Sequence, residues 1–73
     1  MKIGDVVRPV VTIAGLNAKL QYVVQHVERG ALGYELAFLT DEAGDHLHAV
    51  ENAHLVLEVV RAPTMKPAAA FPN

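Results

Sequence analysis

Residues 34–60 carry the pattern that constrains the fold of this chain most: two apolar segments joined by a turn-rich pentapeptide. Over residues 34–40, bulky side chains alternate with smaller or polar ones, which is the period-two pattern of a half-buried β-strand. Residues 41–45 then reverse the chain, because an aspartate can start a turn and Gly44 adopts positive φ at little cost. We expect four side chains on the inner face of this strand: Tyr34, Leu36, Phe38 and Thr40.

After the turn, the chain is expected to return as a strand over residues 46–50. Residues 51–54 break the alternation, which indicates one turn of 3₁₀ helix, and residues 55–60 resume it as a closing strand. An alternative remains open, since four residues in this region also fit helical spacing: Val50, Ala53, Leu57 and Val60. The β-branched residues of the region favour the strand.

Two further strands precede the hairpin. Residues 6–13 form the first, and Pro9 makes it an edge strand or a bulged one, because proline cannot donate to a ladder. A loop over residues 14–18 leads to a second strand at residues 19–28, which is apolar on both faces. A glycine-bracketed turn at residues 29–33 then enters the hairpin.

Together these elements predict an all-β fold, a small five-stranded barrel, over residues 1–60. Residues 61–73 hold three of the four prolines without any periodicity, and they predict a flexible, disordered tail. The predicted core consists of Val7, Val11, Tyr22, Val24, Leu36, Phe38, Leu47, Leu55 and Leu57.

Four short segments carry a resemblance to a known family: Gly4-Asp5-Val6-Val7-Arg8, Tyr22-Val23-Val24, the strand at 34–39, and Asn52-Ala-His-Leu55. Their layout over residues 4–60 resembles small bacterial SH3-like barrel proteins of the YodC-like kind. The resemblance implies an SH3-like barrel. The layout also resembles type II dihydrofolate reductases, but His48-Ala49-Val50 stands where their active-site triplet is found, so that activity is not implied.

Composition excludes several classes of function. With a formal charge of −2 and only six scattered Lys and Arg, the chain has no clustered basic face for nucleic acid. It has no cysteine, hence neither a disulfide nor a thiolate metal site. Its apolar runs are too short to cross a bilayer, and no signal-peptide core follows Met1. We expect a cytoplasmic protein of one domain, without a cofactor.

The histidines are the residues that could carry chemistry. His46 and His48 stand two apart on a strand, and with His26 or His54 they could bind zinc. Histidines with this spacing are more often solvated side chains than metal ligands. No serine or cysteine is present as a nucleophile, so the sequence does not favour an enzyme.

The residues predicted on the outer faces of the strands indicate that the protein binds a partner. Seven aliphatic residues are predicted there, more than so small a domain leaves in water: Val6, Val10, Val23, Val27, Leu39, Val56 and Val60. We therefore expect a non-catalytic module that binds another protein chain as a homo-oligomer. The alternative is a ligand or metal site, catalytic or not, built from the histidines at a subunit interface.

Overall fold

The computed structural model describes residues 1–63 of the protein. Its elements in chain order are β1 (Val6–Pro9), β2 (Tyr22–Arg29), a 3₁₀ turn (Ala31–Gly33), β3 (Glu35–Asp41), β4 (His48–Glu51), the one-turn helix α1 (Ala53–Val56) and β5 (Leu57–Arg61). The prediction of a short helical turn before the last strand is confirmed. The helical alternative for residues 50–60 is limited to the four residues of α1.

The five strands form one antiparallel sheet in the order β4-β3-β2-β1-β5, which confirms the all-β, five-stranded prediction. The prediction of a closed barrel is wrong. Closure requires the two outer strands to pair, and no pairing joins β4 to β5 within residues 1–63. The sheet therefore keeps two free edges, one on β4 and one on β5.

β1 is shorter than predicted, and it lies inside the sheet rather than at its edge. Pro9 is its last residue and pairs only with Leu57 of β5, so the missing N–H does not interrupt the pairing with β2. A bulge in the pairing with β5 falls between Val6 and Val7. Both valines are buried, which corrects the outward placement of Val6.

A second bulge decides which residues of the second half of β2 face the core. Val24 pairs with Leu39 and His26 with Phe38, so Gln25 is an extra residue in β2. Beyond it the alternation shifts by one, and Val27 joins Val24 on the inner face. A strand that looked apolar on both faces thus packs its valines largely on one.

The inner face of β3 is the opposite of the predicted one. Glu35, Ala37 and Leu39 are buried, whereas Leu36 and Phe38 are half-buried on the outer face. Ala37 and Ala53 are both completely buried where β3 meets α1, so this part of the core has room only for small side chains. Because Leu39 lies on the buried face, its predicted outward placement was also wrong.

The observed core is Val6, Val7, Tyr22, Val24, Ala37, Leu39, Val50, Ala53 and Leu57. Four predicted core residues are confirmed: Val7, Tyr22, Val24 and Leu57. Three others are exposed, namely Val11, Leu47 and Leu55. Val11 lies beyond the end of β1, Leu47 lies before the start of β4, and Leu55 lies on the solvent side of α1, so the strand alternation does not extend to any of them.

The two ends of the described chain lie side by side. The Gly4 N–H donates to the carbonyl of Val24 at 2.8 Å. Gly4 has φ of +93°, and a Cβ placed on it would lie 3.0 Å from the Cβ of Pro63. Arg61, assigned to the tail by the sequence, is the last residue of β5. The prediction of a disordered tail otherwise falls on residues 64–73, which lie outside the described residues.

Candidate binding groove

An open cleft of about 580 Å³ runs between the segment after β1 and the outer strand β4. We call it the β4 groove. Its lining residues are Val11, Thr12, Ile13, Leu36, Ala49, Val50, Glu51 and Val56. Residues 49, 50 and 51 are consecutive in β4, and successive side chains of a strand point to opposite faces. The groove therefore follows the free edge of β4 rather than one face of the sheet.

The opposite wall of the groove is the segment after β1, which bends at Val10 and Val11 and is held by backbone hydrogen bonds only at its ends. The Val10 N–H donates to the carbonyl of Val56 in α1 at 2.9 Å, and the carbonyl of Ile13 accepts from the Leu16 N–H at 3.1 Å. Between these bonds, the backbone of Val11 and Thr12 takes no part in the hydrogen bonds of residues 1–63. Two backbone segments without a pairing partner thus face the same cleft.

The groove is apolar apart from Thr12 and Glu51. Leu36 and Glu51 pair directly across β3 and β4, so the carboxylate stands beside an aliphatic side chain. The Tyr34 hydroxyl donates to Oε2 of Glu51 at 3.4 Å. Desolvation, the Glu51 carboxylate and, to a smaller extent, Glu28 raise the pKa of Tyr34 above its ordinary value. The Glu51 carboxylate therefore lines the apolar cleft, whereas the Tyr34 phenol that contacts it lines a separate, smaller pocket together with Arg29 and His54.

A second pocket, of about 470 Å³, is formed mainly by the loop before β2 and the start of β4. We call it the histidine pocket, because His46 and His48 both line it together with Asp41. The His48 ring meets the Tyr22 ring edge to face, with centroids 5.8 Å apart. The Tyr22 hydroxyl accepts from the Asn17 N–H at 2.9 Å, which fixes the loop against the pocket.

The four histidines predicted as metal ligands occupy three places. His26 lies on the outer face of β2, 5.6 Å from the Phe38 ring and 3.4 Å from the Glu28 carboxylate. His54 lies on α1, with Nδ1 3.5 Å from Oε1 of Glu35. Within residues 1–63, no three His, Asp or Glu side chains form a group that could hold a metal ion. Of the four histidines, only His46 and His48 therefore share one site within a single chain.

Glu35 is a buried carboxylate that the sequence pattern placed on the outer face. Its side chain is 7% exposed, and Oε2 lies 3.3 Å from the Arg29 guanidinium and 3.4 Å from the Met1 ammonium. Arg29 also donates to the Met1 carbonyl at 2.7 Å. Arg29 and Glu35 pair across β2 and β3, so the bulge that moves Val27 inward also brings these charges to the inner side. The cluster fixes the first residue to the sheet.

The seven aliphatic residues predicted as an interaction surface are divided by the structure. Val6 and Leu39 are buried, Val23, Val27 and Val56 are half-buried, and Val10 and Val60 are exposed. Only Val56 lines the β4 groove. Sequence reasoning missed Val11, Ile13 and Leu36 as groove residues: it assigned Val11 and Leu36 to the core, and it placed Ile13 in the first strand. Pro9 was the available signal, since it ends β1 before Val11.

Comparison with models of known protein families, with curated proteins and with solved structures finds no match to this chain. The helices of residues 1–63 include none with the length and apolar character that a bilayer-spanning helix requires. The resemblance to YodC-like proteins stays a prediction. The two pockets and the free strand edges are the features that bear on function.

Proposed function

We propose that this protein is a non-catalytic interaction module, and that the β4 groove binds an extended segment of another protein chain. The observation that supports this most is that the aliphatic cleft lies between two backbone segments without pairing partners, the free edge of β4 and residues 11–12. An extended peptide satisfies such backbone groups by adding a strand, and its alternate side chains fill apolar pockets. The cleft fits this mode of recognition.

The residues around the groove favour binding over catalysis. The sequence offers no serine or cysteine, and the hydroxyl that lines the groove belongs to Thr12, which accepts or donates no hydrogen bond among residues 1–63. A hydroxyl nucleophile needs an adjacent base to be activated. Free strand edges, by contrast, pair readily with another chain.

Selection of peptides from a random library displayed on phage tests this function. We expect the selected peptides to shift the NMR signals of the amides of Val11, Thr12 and β4. Val11→Asp should weaken their binding about tenfold or more, because it places a charge in the apolar cleft. Val10→Asp is the matched control, since Val10 is 49% exposed against 47% for Val11 but does not line the groove.

Two results would count against the groove. If the selection yields no binder, or if Val10→Asp and Val11→Asp weaken binding equally, the β4 groove is not the binding site. Circular dichroism of both variants checks that each keeps the fold of the wild type.

A second candidate function is metal binding at an interface between two copies. The observation that favours it is the shared position of His46 and His48 in the histidine pocket. Two such pairs related by a twofold axis would supply the four nitrogen ligands that zinc prefers. Zinc should then increase the sedimentation coefficient of the wild type but not of His48→Ala. Equal coefficients with and without zinc in the wild type would exclude this site.

A further inference from the structure

The charge at the end of the β4 groove indicates what kind of segment binds there. Glu51 is the one charged side chain among the eight that line the groove. No Lys, Arg or His of residues 1–63 forms an ion pair with it. A carboxylate beside an apolar cleft without a cationic neighbour attracts a cation from a partner.

The other four glutamates of the chain all have a basic partner. Glu58 lies 2.9 Å from Arg8, Glu42 lies 3.8 Å from Arg61, and Glu28 lies 3.4 Å from His26. Glu35 is held by the buried cluster described above. Glu51 is therefore the glutamate without any basic side chain within ion-pair distance in the described part of the chain, whereas the partner of Glu28 is a histidine that is charged only when protonated. Glu51 is also the one at the groove.

Tyr34 adds an aromatic surface beside the groove, in the adjoining pocket that Arg29 and His54 also line. Its hydroxyl donates to Oε2 of Glu51, which leaves the other oxygen of the carboxylate free to accept. The ring is partly exposed. An ammonium or guanidinium group over a tyrosine ring gains attraction from the π face in addition to the attraction of the carboxylate.

We infer that the segment bound in the β4 groove carries a lysine or arginine whose cation contacts the Glu51 carboxylate and the Tyr34 ring. This inference rests on the proposed function. The remainder of the segment is extended and presents aliphatic side chains at alternate positions to Val11, Ile13, Leu36 and Val56. The partner is thus a protein segment that is both aliphatic and basic.

A double-mutant cycle on peptides from the phage selection tests the inference. The proteins are the wild type and Glu51→Gln. The ligands are a selected peptide and the same peptide with its Lys replaced by norleucine, or its Arg by citrulline. Each change alone should weaken binding about fivefold, and the second change should add little once the first is made. Glu42→Gln is the matched control, because Glu42 is also exposed but lies in the turn at the other end of β3.

The outcomes separate the two proposals. If Val11→Asp abolishes binding while Glu51→Gln has no effect, or if selected peptides are not enriched in Lys and Arg, the basic-segment inference is overturned and the groove function stands. If Val11→Asp leaves binding unchanged, both are overturned. If Val11→Asp abolishes self-association of the protein, a second copy is the occupant and the inference fails. Strong coupling between Glu51 and the peptide cation supports it.

Discussion

Leu32 is the residue whose backbone departs most from what its side chain prefers. It has φ of 61° and ψ of 29°, in the left-handed region, and its side chain is fully exposed at the tip of the β2–β3 turn. A leucine in this conformation is strained by about 1–2 kcal/mol, and here no burial compensates for the strain.

We therefore expect Leu32→Asn to increase the free energy of unfolding by about 1 kcal/mol, because asparagine tolerates the left-handed conformation. Urea denaturation measures the change. Leu47→Asn serves as the control, since Leu47 is also exposed but does not have positive φ. If the two variants change stability alike, the backbone of Leu32 is not strained.

Tyr34 gives a prediction that depends on pH. Desolvation comes first among the causes that raise its pKa, and the Glu51 carboxylate comes second. Glu51→Gln should lower the pKa of Tyr34 toward the ordinary value without reaching it, because the desolvation remains. NMR titration of the Tyr34 ring carbon that bears the hydroxyl measures this, with Glu58→Gln as a control that leaves the value unchanged. An unchanged pKa in Glu51→Gln would mean that the two groups are apart in solution.

The sign of the effect on stability follows from the same shift. A tyrosine whose pKa is raised by folding stabilises the folded state below its unfolded pKa of about 10. That contribution is lost as the pH rises through the raised pKa. We expect the stability of the wild type to fall at high pH for this reason.

Two substitutions in β3 distinguish its observed inner face from the face that the sequence predicted. Leu39 is 0% exposed on the inner face, while Phe38 is half-buried on the outer face beside His26. Leu39→Ala should cost about 3 kcal/mol, because it leaves a cavity in a small core. Phe38→Ala should cost about 1 kcal/mol, because part of its ring is already in water. Thermal and urea denaturation of both variants decide between the faces, and a larger cost at Phe38 would restore the face that the sequence predicted.

The sequence predicted five strands and the inward positions of Val7, Tyr22, Val24 and Leu57, but not the inner face of β3. Turn chemistry at residues 41–45 and the alternation of residues 34–40 were sufficient for the hairpin. The inward position of Val27 depends on Gln25, which no pattern marks as an extra residue, since a bulge is visible only in the pairing of two strands. The groove could not be predicted for a related reason: it needs the unpaired edge of β4 and the segment after Pro9 to meet in space.

At the scale of the whole molecule, two free edges remain, and β5 is the more apolar of them. Val59 and Val60 are both exposed on this strand, where the bulge opposite Val6 and Val7 interrupts the pairing. We expect a homodimer through β5, because pairing of two such edges removes aliphatic surface and satisfies the backbone together. Sedimentation velocity over a concentration series measures it.

Val60→Asp should convert this dimer to a monomer, whereas Val10→Asp, at similar exposure but on the β1 side of β5 rather than on its free edge, should not. A wild type that is monomeric at high micromolar concentration would contradict the prediction of a homo-oligomer.

Gly4 and Pro63 lie against each other, so the chain enters and leaves the sheet at one point. A protein domain with this arrangement occupies little more than a single loop position of any chain that contains it. Residues 4–63 could therefore be joined to a surface turn of a host protein without stretching either backbone, although such a junction removes the Met1 ammonium from the Glu35 cluster. None of the residues that line the β4 groove belongs to this junction, so such a chimaera would keep the proposed binding site.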